Sequence, residues 1–500
     1  MLDNMLLGIQ TAFSIHNLLY AFVGVFLGNV IGILPGIGAL AAISMLLPVT
    51  YGLDHVGALV MLGGLYYGTT FGGATTSILL NLPGTASHAV VCLDGHPLAK
   101  KGRAGPAIFM TMFASFIGVC TGIVLMTFFS PLLVEFAFLF GPWEYFALMV
   151  LGLMAAAAIG SGSVVMSIAS VVIGLILGTI GTDVNSGVDR FTFHIPELIE
   201  GLSLVALAMA LFGVNDVLKN AGHLGQGIFV SGGKMDAQQV RPSREDLKRS
   251  QGPIVRGSLL GSAIGVLPGA GSAMASFMSY ALEKKVSIGS KEFGKGAIEG
   301  VAGPEAANSS AAITAFIPTL VLGIPGSAVM ALMLGAMMIH NINPGPQLLE
   351  QQPALFWGLL VSFWIGNFLL MLLNIPLIGM WVKLLSVPYR VIFPIVMFLI
   401  AIGVYSGNNN LFDVGVVVAF GVIGTLLALM KIEGAPLLLG FVLGPMIEEN
   451  FRRAMLLARG DFWAFFTRPM SGSFMAVIII MLLWVSYRRF ARLKREAKAR

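Results

Sequence analysis

The 500-residue chain is 57% hydrophobic and only 11% charged, with a mean hydropathy of +0.89, whereas an ordinary soluble domain has about 25% charged residues. Water cannot be the solvent for most of such a surface. The net charge of +5 comes from basic residues dispersed over loops and the C-terminal tail, which excludes a nucleic-acid footprint and leaves them to set membrane orientation.

Apolar blocks of about 15 to 27 residues, separated by short polar breaks, match the roughly 20 residues a helix needs to cross hydrocarbon. They predict about a dozen membrane segments, and continuous rather than alternating apolar runs exclude a β-barrel. The expected fold is therefore an all-α polytopic membrane protein. Met1 to Gln10 lacks the positive n-region of a cleaved signal peptide, so the first apolar stretch is expected to stay in the protein. Gly28 to Met45 then reads GNVIGILPGIGALAAISM, and Ile78 to Ser87 reads ILLNLPGTAS. No Lys or Arg precedes Lys100; with Lys101 and Arg103 it marks the first cytoplasmic loop and puts the N-terminus in the periplasm. Cys92 and Cys120 are the only cysteines and stand at no redox or metal-ligand spacing.

After the polar stretch Lys219 to Arg256 the motifs return. Gly261 to Met278 reads GSAIGVLPGAGSAMASFM and agrees with Gly28 to Met45 at nine of eighteen positions; Leu320 to Ala328, LVLGIPGSA, resembles the second motif. The chain thus reads as two related halves. The first enters from outside; the second, flanked by Lys234, Arg241, Arg244, Lys248, Arg249, Lys284, Lys285, Lys291 and Lys295, enters from inside. That is an inverted-topology repeat, with substrate and ion sites expected near the midplane. The boundaries read as a first repeat over 1–218, a cytoplasmic linker over 219–255, a second repeat over 256–448, an interfacial segment with an extra transmembrane helix over 449–487, and a basic cytoplasmic tail over 488–500. Arg452, Arg453, Arg459 and Arg468 fall on the periplasmic side unless 448–468 lies in the interface or re-enters.

The first motifs predict short re-entrant hairpins, with arms Arg256 to Leu267 and Ala270 to Glu283 in the second half. The later motifs predict breaks in crossing helices. Proline removes an N–H and glycine permits unusual φ, so both offer backbone N–H groups and positive helix ends to an anion. The candidate substrate-binding residues are Pro35, Gly36, Gly38, Asn81, Pro83, Gly84, Thr85, Pro268, Gly269, Gly271, Pro325, Gly326 and Ser327. Hydroxyl, amide and acidic groups before the breaks are candidates for a hard monovalent cation: Thr75, Thr76, Ser77, Glu305, Asn308, Ser309 and Ser310. For any one such Gly or Thr, close helix packing is the plainer reading; the repetition of whole motifs favours a site. Glu305 reads either as an intramembrane functional carboxylate or as a group paired at a helix end. His88 and His340 read as packing or hydrogen-bonding residues. No HExxH, Gly-x-Ser-x-Gly or nucleotide-binding loop is present, so neither an enzyme nor an ATPase is expected.

Together, GILPGIG, YGTTFGGATTSILLNLPGTAS, LDGHPLAKKGRAG, DVNSGVDRFTF, FGKGAIEGVAGPEAANSSA, LGIPGSA and GFVLGPMIEENFRRA resemble the large membrane subunit of the tripartite tricarboxylate transporters, the TctA family, over nearly the whole chain. The resemblance implies a bacterial inner-membrane permease that works with a small membrane subunit and a periplasmic solute-binding protein. It implies secondary, cation-coupled import of citrate or another di-, tri- or aromatic carboxylate. No cofactor is expected beyond Na⁺ as coupling ion, and the expected motion is alternating access of elevator type. A proton-coupled transporter and a passive anion channel are the alternatives.

Overall fold

In hydrocarbon every backbone N–H and C=O must find its partner inside the protein, and helices achieve this locally. The computed structural model describes residues 2–34, 38–159, 163–183, 186–215, 217–218, 241–267, 269, 271–384 and 389–483. Residues 219–240 of the expected linker 219–255 and the basic tail 488–500 lie outside the described residues. Helices in chain order are α1 (Leu2–Ala12), α2 (Ile15–Ile33), α3 (Ala39–Leu46), α4 (His55–Leu80), α5 (Ala89–Leu98), α6 (Ala104–Ala137), α7 (Pro142–Ile159), α8 (Val164–Gly178), α9 (Leu204–Ala208) and α10 (Arg244–Gly265). They continue with α11 (Gly271–Val286), α12 (Glu299–Thr314), α13 (Phe316–Leu322), α14 (Ala328–Ile339), α15 (Leu348–Gln351), α16 (Pro353–Leu384), α17 (Tyr389–Asn408), α18 (Leu411–Leu429), α19 (Gly434–Leu457), α20 (Ala464–Thr467) and α21 (Pro469–Leu483). Among the described residues the strands are one short antiparallel hairpin, β1 (Gly181–Thr182) with β2 (Asp189–Arg190). Four helical stretches among the described residues are long and apolar enough to cross a membrane: Ile15–Ile33, Ala86–Ala137, Pro353–Asn374 and Leu411–Leu429. The chain is an all-α membrane protein.

It divides into two compact units, one of residues 1–134 and 203–425, the other of 135–202 and 426–500. In the first, two helix pairs meet backbone to backbone. Gly24, Gly28 and Gly32 of α2 lie on the carbonyls of Met61, Leu65 and Thr69 in α4, and Gly257, Gly261 and Gly265 of α10 lie on those of Gly303, Ala307 and Ala311 in α12. Each contact is too close for a Cβ, the reason small residues line close membrane-helix crossings. A threonine seals each pair, Thr76 Oγ1 donating to Ile33 O at 2.9 Å and Thr314 Oγ1 to Ser262 O at 3.1 Å.

The helix α10 begins at Arg244 rather than at Arg256, where the apolar run starts. Ser243 and Asp246 form a reciprocal capping box, which satisfies two otherwise orphaned donors and starts the helix inside a polar stretch. Both hairpin arms are then clamped by Arg256, whose guanidinium donates to both oxygens of buried Glu283 at 2.9 and 2.7 Å. Segments far apart in sequence are also tied. Arg103 pairs with Asp246 at 2.6 Å, Lys101 Nζ donates to Lys295 O at 2.6 Å, and Asp94 accepts from the Gly296 and Ala297 N–H groups and the Tyr280 hydroxyl. Burial alone would raise the Asp246 carboxyl, but the hydrogen bonds from Arg103 and Ser243 outweigh it and hold it below the ordinary range. A group depressed in this way stabilises the fold above its unfolded pKa and loses that contribution as pH falls through the folded one, so the tie weakens at a pH below the ordinary carboxylate range.

In the second unit α8 and α19 repeat the close crossing, with Gly174 on Leu437 O and Gly440 on Val171 O. Ser170 Oγ donates to Glu433 O at 2.5 Å. The hairpin is held to the end of α19 by Arg190–Glu448 at 2.8 Å and Arg452–Asp183 at 2.9 Å. Arg468 stacks 3.8 Å over the Trp143 ring and faces Glu144 at 3.7 Å.

Gly28→Leu or Gly261→Leu should lower the thermal midpoint of the detergent-solubilised protein by several degrees, the effect of about 1–3 kcal/mol of overpacking. Gly415→Ala, where an added Cβ meets open space, should leave it unchanged. Equal midpoints for all three would rule out the backbone contacts.

Candidate functional site

The two later motifs fold alike. α4 ends in Asn81 at φ 58° and α13 ends in Gly323 at φ 67°. A left-handed residue closes a helix C-terminus, and asparagine and glycine adopt that conformation at least cost. Pro83 and Pro325 follow two residues on and cannot continue the ladder. Thr85 and Ser327 are then extended N-caps for the next pieces, the 3-10 turn Ala86–His88 and α14. Ser327 Oγ accepts from the Met330 N–H at 3.3 Å, whereas the Thr85 hydroxyl turns to Ser87 Oγ and His88 Nδ1, both at 2.8 Å. The first break folds back on its own helix, where a Cβ on Gly84 would stand 2.5 Å from Gly73 Cα, whereas a Cβ on Gly326 would stand 3.7 Å from the Gly265 and Leu267 carbonyls and 4.0 Å from Ala315 Cβ.

The hairpin tips close on these breaks. Gly38 faces Gly84 O, Gly271 faces Ser327 Cβ, and the Gly269 N–H donates to Gly326 O at 3.1 Å. Gly269 and Gly271, at φ 81° and 64°, occupy backbone conformations that a side chain would strain. Because Gly326 O takes the Gly269 N–H, that donor is not free for an anion as the motif alone implies. The first-turn N–H groups of Ala328 and Val329 have no place in the helix ladder and remain. Pro35, Gly36 and Pro268 lie outside the described residues. Exposure separates the two breaks. Asn81, Leu82 and Pro83 are exposed, Leu82 by 46%, while Gly323 to Gly326 are buried. Irregular backbone at membrane depth is stable only in protein or beside water, so at that depth the first break would need water or a partner protein against it.

The predicted cation-site residues divide into two groups. Thr76 spends its hydroxyl on Ile33 O, Ser77 on Gly73 O at 2.9 Å and Ser310 on Ala307 O at 3.2 Å; Thr75 is buried in α4. Glu305, Asn308 and Ser309 instead meet a cluster reaching across the sequence. Ser115 Oγ donates to Glu305 Oε1 at 2.9 Å, Asn308 Nδ2 approaches the same oxygen at 3.5 Å, and Ser309 Oγ donates to Ser115 Oγ at 2.9 Å. His88 Nε2 stands 3.7 Å from Glu305 Oε2 and 3.4 Å from Asn308 Nδ2. Glu305 lies within α12, fully buried like His88, not at a helix end. Its Oε2 and the Asn308 Oδ1 have no hydrogen-bond partner among the described residues, which costs roughly 1–3 kcal/mol for a neutral group and more for a charged one.

His88 and Ser115 were not among the candidates. The one sequence signal for His88 is its place three residues after the N-cap Thr85, where a side chain can reach back to the cap; nothing local marks Ser115. His340 is hydrogen-bonded, its Nε2 3.2 Å from Thr50 Oγ1. A cleft of about 420 Å³ in the second unit, lined by Phe146, Leu175, Thr179, Gly444, Ile447, Glu448 and Phe451, contains none of the candidate residues.

Interrupted helices closed by hairpin tips around buried polar groups define a multi-pass membrane protein with the layout of a transporter. The match to the model of the tripartite tricarboxylate transporter TctA family runs over residues 18–439, and the chain belongs to that family. It is 48% identical over 487 residues to the "Uncharacterized 52.8 kDa protein in TAR-I ttuC' 3'region" of Agrobacterium vitis, covering 97% of this chain and 96% of that protein. It is 54% identical over 223 residues to the "Uncharacterized protein in TAR-II ttuC' 3'region" of the same organism, covering 45% of this chain and 92% of that one. No solved structure matches.

With Cys92 and Cys120 replaced by alanine, Pro83→Cys should react with a water-soluble maleimide about tenfold or more faster than Pro325→Cys, read as a mass shift, because one break is exposed and the other is buried. Equal rates would remove the asymmetry.

Proposed function

We propose that this chain is the permease of a tripartite system that imports carboxylates, citrate or a related di-, tri- or aromatic acid, across the bacterial inner membrane. Its partners are a small membrane subunit and a periplasmic solute-binding protein that delivers the substrate. About a dozen membrane segments form two inverted-topology repeats, 1–218 and 256–448, with the N-terminus periplasmic and the C-terminus cytoplasmic.

The observation that carries this reading is the matched pair of breaks, left-handed closure, proline, glycine and hydroxyl N-cap, each covered by a hairpin tip of its own half. Helix starts attract anions without an arginine. The candidate motifs contain no Arg or Lys, so a carboxylate there relies on N–H groups, hydroxyls and a bound Na⁺ that offsets its charge. The hairpins and interrupted helices form the moving element of an elevator, and each half closes the site from one side. Proton coupling is the second reading, and it draws on the contact between buried Glu305 and His88.

The test is uptake of labelled citrate and a panel of carboxylates into proteoliposomes holding this chain with its small subunit, the binding protein outside, with and without an inward Na⁺ gradient. Saturable uptake driven by Na⁺ is expected, and Gly269→Leu should abolish it while the protein still inserts. Uptake driven by a proton gradient alone selects the second reading. Downhill flux that needs no ion gradient and does not saturate selects a passive anion channel.

A further inference from the structure

The buried carboxylates near α12 share a pattern that Glu305 breaks. Asp94 accepts two backbone N–H groups and a tyrosine hydroxyl, Glu283 accepts both nitrogens of Arg256 and the Ser287 hydroxyl, and Glu299 accepts two nitrogens of Arg249. Glu305 has Ser115 and Asn308 on Oε1 but, among the described residues, no hydrogen bond on Oε2, where His88 Nε2 stands 3.7 Å away, and one helical turn on the Asn308 Oδ1 has no hydrogen bond either. Both side chains are within 1% of full burial. Among the described residues no Lys or Arg pairs with Glu305; the titratable group beside it is His88, whose Nε2 at 3.7 Å stops short of a hydrogen bond to Oε2 and whose Nδ1 contacts the Thr85 hydroxyl. A buried carboxylate is not held charged without a counter-charge, and carboxylate and amide oxygens are the ligands a hard cation takes. One carboxylate calls for one positive charge.

We propose that Glu305 Oε2 and Asn308 Oδ1 ligate a monovalent cation, sodium by its chemistry, and that His88 links its presence to the first break through Thr85. The cation neutralises Glu305, which otherwise repels an anion at the breaks. The Glu305–His88–Thr85 chain joins the second half of the sequence to the cap residue that follows Pro83-Gly84. The binding half of the inference stands by itself; the link to Thr85 rests on the carboxylate-transport reading.

The experiment measures the thermal midpoint of the purified full-length protein in nanodiscs, without carboxylate, as sodium chloride replaces choline chloride at constant ionic strength. A saturable sodium-dependent rise is expected, and Glu305→Gln or Asn308→Ala should each raise the half-saturating sodium by at least about tenfold, the scale on which metal sites respond to altered ligation. If Glu305→Gln does not fold, Asn308→Ala decides. A sodium effect unchanged in the variants puts the ion elsewhere and overturns the site. No sodium effect, but a pH-dependent midpoint lost in Glu305→Gln, overturns it in favour of a bound proton; no response to either overturns it in favour of a purely structural cluster. His88→Ala should keep the sodium-dependent rise and lose the increase in citrate affinity that sodium confers on the native protein. Retention of that increase overturns the link. Failure of the native protein to bind any carboxylate counts against the transport reading, and the link with it, while the sodium site stands.

Discussion

A helix interrupted at membrane depth frees backbone groups in a solvent that cannot receive them, and most of the first unit answers that constraint. Asn81 and Gly323 turn left-handed so that each helix can end in register. Gly326 O, freed by one break, receives the Gly269 N–H from the neighbouring tip. Gly269 and Gly271 reach the second break at φ 81° and 64°, backbone conformations that a side chain would strain. The helices that carry the breaks are held by partners that meet them at the main chain, so the interruption does not loosen the fold.

Electrostatics divides the same unit into satisfied and unsatisfied parts. Arg249, Arg256 and Arg103 each sit on a carboxylate that is more buried than themselves, Glu299, Glu283 and Asp246. With Asp94 closing on two main-chain N–H groups, these contacts fix the ends of the second hairpin and the loop before α12. Such pairs add little stability when exposed, but removal of one partner of a buried pair leaves an uncompensated charge. The cluster of His88, Ser115, Glu305 and Asn308 has no such closure, and it lies next to the residues that cap the first break.

Membrane class and helical content were legible because hydrophobic run length is a one-dimensional property, and the helix interruptions were legible because Pro-Gly recurs at matched places in both halves. The glycine rows of α2 and α10 were visible as letters, but their carbonyl partners were not, since those lie on another helix. The polar approach to α10 hid its start: Arg244 to Arg256 reads as linker by hydropathy, and only the Ser243–Asp246 spacing announces a helix. His88 was set aside because no metal-ligand spacing surrounds it; its partners Glu305 and Asn308 are more than two hundred residues away, and no local pattern encodes such a contact. The fate of the Gly269 N–H was equally hidden, because it depends on how closely two loops approach.

The glycine-to-carbonyl crossings also bear on how such a chain assembles. α2 and α4, like α10 and α12, are near neighbours in sequence, and their fit depends on main-chain shape rather than on slowly interlocking large side chains. Each pair can therefore lock while the rest of its half is still being synthesised. The ties from Asp94, Lys101 and Arg103 must wait for the second half to enter the bilayer, so biogenesis proceeds as two early local closures followed by one late docking step.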